Sequence, residues 1–248
     1  MDQPVLYVFA ISHYCEKARW ALDYLGIDYS LKFLPPGVHR RVAKKLGVPG
    51  TSLPILQLGE EAIQGSSQII DWAELNRAPT RQPLESVDDH EYSRTLERRM
   101  DDKLGVHIRR YYYSEALVEF PASVLPVFSR DLPMLQKVFT VFSWRMINRV
   151  MIKRMDLGYQ QGLESRAIIE VELDWLDALL ADDQPFLCGD RLSRVDITAA
   201  SLLAPLVQPA NHPSYTNMAL PPRVLEDFKV WSTRRCVRWV ETIYQQYR

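Results

Sequence analysis

The sequence predicts two domains of different class, an α/β domain followed by an all-helical bundle. Up to residue 78, short apolar runs alternate with amphipathic helix patterns. Beyond that the strand signals fade while a period near 3.6 residues persists to the end of the chain. Between them, residues 79–88 hold Pro79, Pro83 and mostly polar side chains, the composition of a linker.

Residues 4–10 form a nearly continuous apolar run, as in a strand buried on both faces. Ala18, Ala21, Leu22 and Leu25 then recur at i, i+3, i+4, i+7, which predicts an amphipathic helix, and Gly26 stands where it stops. Residues 29–34 read as a second strand, parallel to the first because a helix intervenes. Residues 38–46 are basic and helical in pattern. Residues 53–58 and 62–63 make a hairpin through Gly59-Glu60, and Ser66 is expected to cap a helix carrying Ile69, Ile70 and Ala73. The first domain, 1–78, therefore reads βαβ–α–ββα. In 89–248, long helices are expected around Tyr92 to Ile108 and around Ile168 to Leu179. Two more are expected from Ser193 and from Leu225 to Tyr244.

Composition narrows the function classes. The chain is 47% hydrophobic and 25% charged with a net charge of −1, so nothing global points to nucleic acid. Cys15, Cys188 and Cys236 are odd in number and lack metal-ligand spacing, so no metal site is expected and a reducing compartment is. Strand-like residues begin at Val5 without a charged-then-apolar leader, and no apolar run approaches the ~20 residues of a membrane span. The expectation is a cytoplasmic protein with no stable membrane insertion.

Chemistry concentrates where the first strand meets the first helix, at Ser12-His13-Tyr14-Cys15-Glu16-Lys17-Ala18-Arg19. A helix N-terminus carries unsatisfied N–H groups and stabilises a thiolate. Ser12 is placed to donate a hydrogen bond to a bound sulfur, or only to cap the helix; a capping hydroxyl that accepts a backbone bond still has a proton to donate. Cys15 shares the apolar helix face, which fits packing, whereas thiol–disulfide exchange would need solvent access. Leu53-Pro54 opens a strand, and a cis bond there would turn the Leu53 amide outward as an edge for a peptide-like ligand. Gln64-Gly65-Ser66-Ser67 begins a helix, either a carboxylate site or simply a cap.

In order and spacing these segments resemble the soluble glutathione transferase superfamily. Ser12-x-x-Cys15-x-Lys17-x-Arg19 is similar to its active-site segment and Leu53-Pro54-Ile55-Leu56 to its cis-proline strand. Ser66 with Ile69-Ile70 is similar to its γ-glutamyl-binding helix start. Gly189-Asp190-x-x-Ser193-x-x-Asp196-Ile197 is similar to its second-domain N-capping box. The resemblance implies a thioredoxin-like first domain and an all-α helical bundle. It implies glutathione as co-substrate, a small hydrophobic electrophile to be conjugated or reduced, and a homodimer. Ser12 would be the catalytic serine; Val8, not Tyr7, stands where tyrosine-type members carry their tyrosine. Leu53, Pro54, Gly65, Ser66 and Ser67 would hold glutathione, while Tyr14, Arg110 and Tyr111 would line the second-substrate pocket.

Three positions depart from the pattern: His13 for a frequent proline, Ser52 for a frequent lysine, and Gly65 for a usual acidic or amide residue. His39, Arg40 and Arg41 are candidates to replace the missing cation, or they form a solvated basic helix face. Ser52 and Gly65 also suit a rival reading, a non-catalytic binding or scaffold protein on the same fold. Arg109-Arg110-Tyr111-Tyr112-Tyr113 either faces an electrophile or packs at a helix end. Residues 132–155 contain no acid, and Lys137, Arg145, Arg149, Lys153 and Arg154 alternate there with large apolar side chains. Such a helix lies on an anionic membrane surface, attracts an anionic substrate, or packs on its own domain with its charges solvated.

Overall fold

The computed structural model describes residues 3–85, 90–181, 184–214 and 220–248; residues 86–88 of the expected linker lie outside these. The chain divides into two compact units, residues 1–84 with 125–147, and residues 85–124 with 148–248. Residues 125–147, which the sequence pattern groups with the helical domain, cluster with the first unit.

The first unit is built on a four-stranded sheet in the order β2-β1-β3-β4: β1 Val5–Val8, β2 Ser30–Phe33, β3 Ile55–Leu58 and β4 Glu61–Gln64. β1 and β2 are parallel, with Val5 opposite Ser30, as the intervening helix α1 (His13–Tyr24) requires. β3 runs antiparallel to β1, with Tyr7 opposite Ile55, and β4 folds back on β3 through the expected Gly59-Glu60 turn. α2 (Val38–Lys45) follows β2, and α3 (Ser66–Leu75) follows β4. α1 and α3 pack together through Ala18, Ala21, Leu22, Ile69, Ile70 and Ala73, all fully buried beside Leu6 and Leu56.

α1 stops at Gly26 for two physical reasons. Its φ is 72°, a left-handed conformation that glycine adopts without cost, and a Cβ there would sit 3.0 Å from the Cβ of Ala78. The Ile27 N–H closes the end by donating to the Leu22 carbonyl at 3.0 Å. One expectation is corrected. Ser66 is the first residue of α3, not its cap; Gly65, at φ 100°, holds the cap position and offers no side chain.

In the second unit, α4 (His90–Arg99) runs through a π-helical segment, Met100–Gly105, into α5 (Val106–Ala116). Leu96, Met100, Leu104 and Ile108 are all buried at four-residue spacing. That spacing drifts about 40° per step on an α-helix, and the wider π turn restores the phase. α8 (Tyr159–Leu179) lies along α5. α9 (Arg194–Val207) is the buried centre, with Val195, Ile197, Ala199, Ala200, Leu202 and Leu203 fully enclosed. α10 (Pro222–Trp231) and α11 (Arg235–Tyr247) complete the unit. α6 (Pro121–Ser129) and α7 (Met134–Met155) contain the residues that join the first unit.

α9 starts at the capping box read from Ser193 and Asp196. The Asp196 amide donates to Ser193 Oγ, and the Ser193 amide donates to Asp196 Oδ2 at 2.8 Å. The other carboxylate oxygen receives the Leu187 N–H at 2.7 Å.

Candidate active site

The end of the sheet where β1 leaves is also where β3 enters, because Tyr7 pairs antiparallel with Ile55. Ser12 and Leu53-Pro54 therefore lie at one edge. After β1 the chain turns, with the Ser12 N–H donating to the Phe9 carbonyl at 3.2 Å, and Ser12 takes extended dihedrals as the N-cap of α1. Its Oγ accepts from the Cys15 N–H at 3.3 Å. The side chain is half-buried, so a hydroxyl held by the helix start remains within reach of a ligand.

Cys15 points the other way, into the core, at 1% exposure. Burial pushes its thiol up to about 11, despite the opposing pull of Ser12 and Arg19. A thiol so placed is neither ionised nor accessible near neutral pH, which removes the physical basis for thiol–disulfide exchange through Cys15.

Leu53-Pro54 is a cis peptide. Among the described residues, neither the N–H nor the C=O of Leu53 has a main-chain partner, while the next carbonyl, that of Pro54, accepts from Gly65 at 3.0 Å. The Leu53 amide is thus an open strand edge immediately beside the start of α3. Gln64 steadies the approach: its Oε1 accepts from the Gly50 N–H at 2.8 Å, and its Nε2 donates to the Ser52 carbonyl at 2.8 Å. α3 begins without a side-chain cap hydrogen bond, and an uncapped helix start is the kind of place that holds an anion. Ser66 is buried, and the Ser67 hydroxyl receives Lys17 Nζ at 3.2 Å. Lys17 is itself fully buried, which places a cation of α1 at the head of α3.

The structure thus gathers Ser12, Leu53, Pro54, Gly65, Ser66 and Ser67 in one neighbourhood of the first unit. His39 does not serve as the missing cation. Its Nδ1 accepts from the Gly37 N–H at 3.0 Å, its ring meets Phe9 edge-on at 4.8 Å, and burial lowers its basicity. Arg40, exposed on the same helix, carries the charge that His39 lacks. Tyr14 is half-buried, with its ring 4.6 Å from that of His13.

The two other side chains expected at a second-substrate pocket are engaged within the second unit. Tyr111 is 1% exposed, donates its hydroxyl to Asp227 and packs on Trp231; burial and the Asp227 carboxylate hold that hydroxyl well above its ordinary pKa. Tyr111 is a core residue, not the lining of an open face. Arg110 is paired with Asp156 at 2.6 Å and with Glu164 at 3.4 Å. Lys17 and Gln64, which stand within the two quoted helix-start motifs, also belong to the site; no role is read for them from the sequence, and nothing in it shows that a lysine is buried.

Residues 6–81 match the family model of the glutathione S-transferase N-terminal domain. The chain has the fold of the soluble glutathione transferases. A glutathione transferase from Phanerochaete chrysosporium aligns over 100% of this chain and 98% of its own, with TM-score 0.65 and 14% identity. A glutathione S-transferase of Ceriporiopsis subvermispora, solved in complex with glutathione, covers 99% and 98%, with TM-score 0.65 and 16% identity. A beta-etherase from Sphingobium sp. covers 96% and 98%, with TM-score 0.60 and 16% identity. No curated protein is similar in sequence. On this glutathione transferase fold, no three His, Cys, Asp or Glu side chains among the described residues gather into a metal-holding group. No helix among the described residues is long and apolar enough to cross a membrane.

Proposed function

We propose that the protein is an enzyme that binds glutathione at this edge of its first unit and adds it to, or uses it to reduce, a small hydrophobic electrophile. One observation carries the proposal. A half-buried serine hydroxyl at a helix N-terminus stands at the same sheet end as an unpaired strand amide and an uncapped helix start. Those three features fit the three demands of the tripeptide. The open Leu53 amide pairs with the cysteinyl backbone, the head of α3 takes the γ-glutamyl carboxylate, and the Ser12 hydroxyl donates to the sulfur. The donated hydrogen bond and the positive end of α1 favour the thiolate over the thiol, so more of the bound glutathione is nucleophilic at neutral pH. Ser12 is too weak an acid to be the base; its role is to stabilise the anion. The bound glutathione of the Ceriporiopsis relative supports the reading through fold alone.

The proposal keeps residues 1–78 for glutathione and assigns the second substrate to 89–248, in a cytoplasmic homodimer. Replacing Ser12 with alanine tests it. Conjugation of a model electrophile should fall about 100-fold in kcat/KM, the usual effect of removing one donor to a developing anion. The calorimetric Kd for glutathione should stay within about threefold. Full activity of Ser12→Ala would remove the role given to Ser12.

Gly65 and Ser52 favour the rival reading, a non-catalytic binding protein. Gly65 offers no side chain at the head of α3, and the Ser52 carbonyl is occupied by Gln64. No heat on titration with millimolar glutathione would decide for that rival.

A further inference from the structure

Helix α7 is apolar on two opposite sides. Thr140, Trp144 and Ile147 are buried, with the Trp144 ring tilted against that of Phe128 at 5.8 Å. At 100° per residue, Leu135, Phe139, Phe142, Met146, Arg149 and Lys153 fall within about 40° of one line on the opposite side. Leu135 is 85% exposed, Phe142 84%, Met146 61% and Phe139 55%. Val138 and Val150 flank them, also exposed. These exposed apolar side chains share one side of a helix, unlike the single scattered apolar residues of an ordinary surface.

The charged residues of α7 itself are all cations. Residues 132–155 contain no acid; Arg149 and Lys153 continue the exposed line after the apolar turns, and exposed Arg145 stands beside it. At the other end, a groove of about 380 Å³ between α6 and α7 is lined by Pro126, Ser129, Arg130, Lys137 and Val141. Arg130 lies 3.7 Å from Asp131, outside the helix. Over its 22 residues α7 is about 33 Å long, and its outer line reads as large apolar side chains followed by cations.

We propose that this face of α7 docks on an anionic lipid bilayer surface. Leu135, Phe139, Phe142 and Met146 enter the boundary between headgroups and acyl chains, while Arg145, Arg149 and Lys153 meet lipid phosphates and carboxylates. The charge pattern selects this occupant over a second copy of the chain. A two-fold contact through the same line would bring the cations of both copies together on a helix that carries five cations and no carboxylate of its own. The docking is peripheral and needs no crossing segment. It is independent of the proposed chemistry at Ser12.

Co-sedimentation of the full chain with vesicles tests the proposal. The chain should pellet with vesicles of equal parts phosphatidylcholine and phosphatidylserine, and not with phosphatidylcholine alone. Phe142→Ser, at a side chain too exposed to be needed for folding, should lower partitioning at least about tenfold. Arg149→Gln and Lys153→Gln should each lower it about fivefold, an effect that salt mimics. Circular dichroism confirms that each variant is folded. Equal pelleting with neutral vesicles, or binding that Phe142→Ser leaves intact, would overturn the proposal. So would a solution dimer that Phe142→Ser splits while vesicles stay unbound, since the occupant would then be a second copy.

Discussion

Two helices of this protein begin in the same way and end up with different work. α1 opens at Ser12-x-x-Cys15 and α9 at Ser193-x-x-Asp196, and in both the serine hydroxyl accepts the amide three residues on. At α9 that third residue is a carboxylate, which accepts hydrogen bonds from both the serine amide and the serine hydroxyl. The box is closed and buried, and nothing is left to offer a ligand. At α1 the third residue is a buried thiol that turns to the core, and the serine stays half-exposed beside an open strand edge. A reciprocated cap is a structural joint; a one-sided cap leaves a hydroxyl for chemistry.

The largest way to break the comparison is at the closed box. Asp196→Ala strands the buried Leu187 and Ser193 amides and the Ser193 hydroxyl, and should cost about 4 kcal/mol of unfolding free energy. Urea denaturation measures it. At the open cap, Ser12→Ala should cost only about 1 kcal/mol of stability while removing most activity. A loss at Ser12 as large as that at Asp196 would make both caps structural.

The pH dependence of stability sharpens the contrast next. Burial raises the Asp196 carboxyl from 3.8 to about 6, outweighing the hydrogen bonds from Ser193 and Leu187. A folded pKa above the unfolded value means that the protonated form favours folding. Its stabilising contribution is complete below about pH 4 and is lost as pH rises through about 6. The difference between the folded and unfolded pKa corresponds to about 3 kcal/mol. Urea midpoints from pH 4 to 7 should show this fall on top of the other titrations, and Asp196→Asn should flatten it. An unchanged profile in Asp196→Asn would assign the step to another group.

What can be read from the sequence follows the same division between local and distant causes. The hairpin, the stop at Gly26 and the capping box depend on residues within a few positions of one another, and each is legible. The residue pattern misplaces the cap of α3 by one position because the left-handed backbone of Gly65 leaves no trace in it. The resemblance sends Arg110 and Tyr111 to a pocket, whereas their partners stand 46 and 116 residues away, at Asp156 and Asp227. No periodicity encodes such pairs. The grouping of residues 125–147 with the first unit has the same origin. Their apolar side chains show that they bury a face, not that Phe128 meets Phe9 at 6.2 Å.

The smallest effect bears on whether the open cap belongs to the serine alone. The group bonded to Ser12 Oγ is the backbone N–H of residue 15, which any side chain except proline leaves in place. Cys15→Ala therefore keeps the cap, removes one buried sulfur, and should cost about 1 kcal/mol. Conjugation should stay within about twofold of the parent, and labelling of the native protein by iodoacetamide should be as slow in the parent as in the variant. A large loss of activity in Cys15→Ala would move the chemistry from the hydroxyl to the thiol. The buried position of that thiol, and a pKa of about 11, are the physical reasons to expect the opposite.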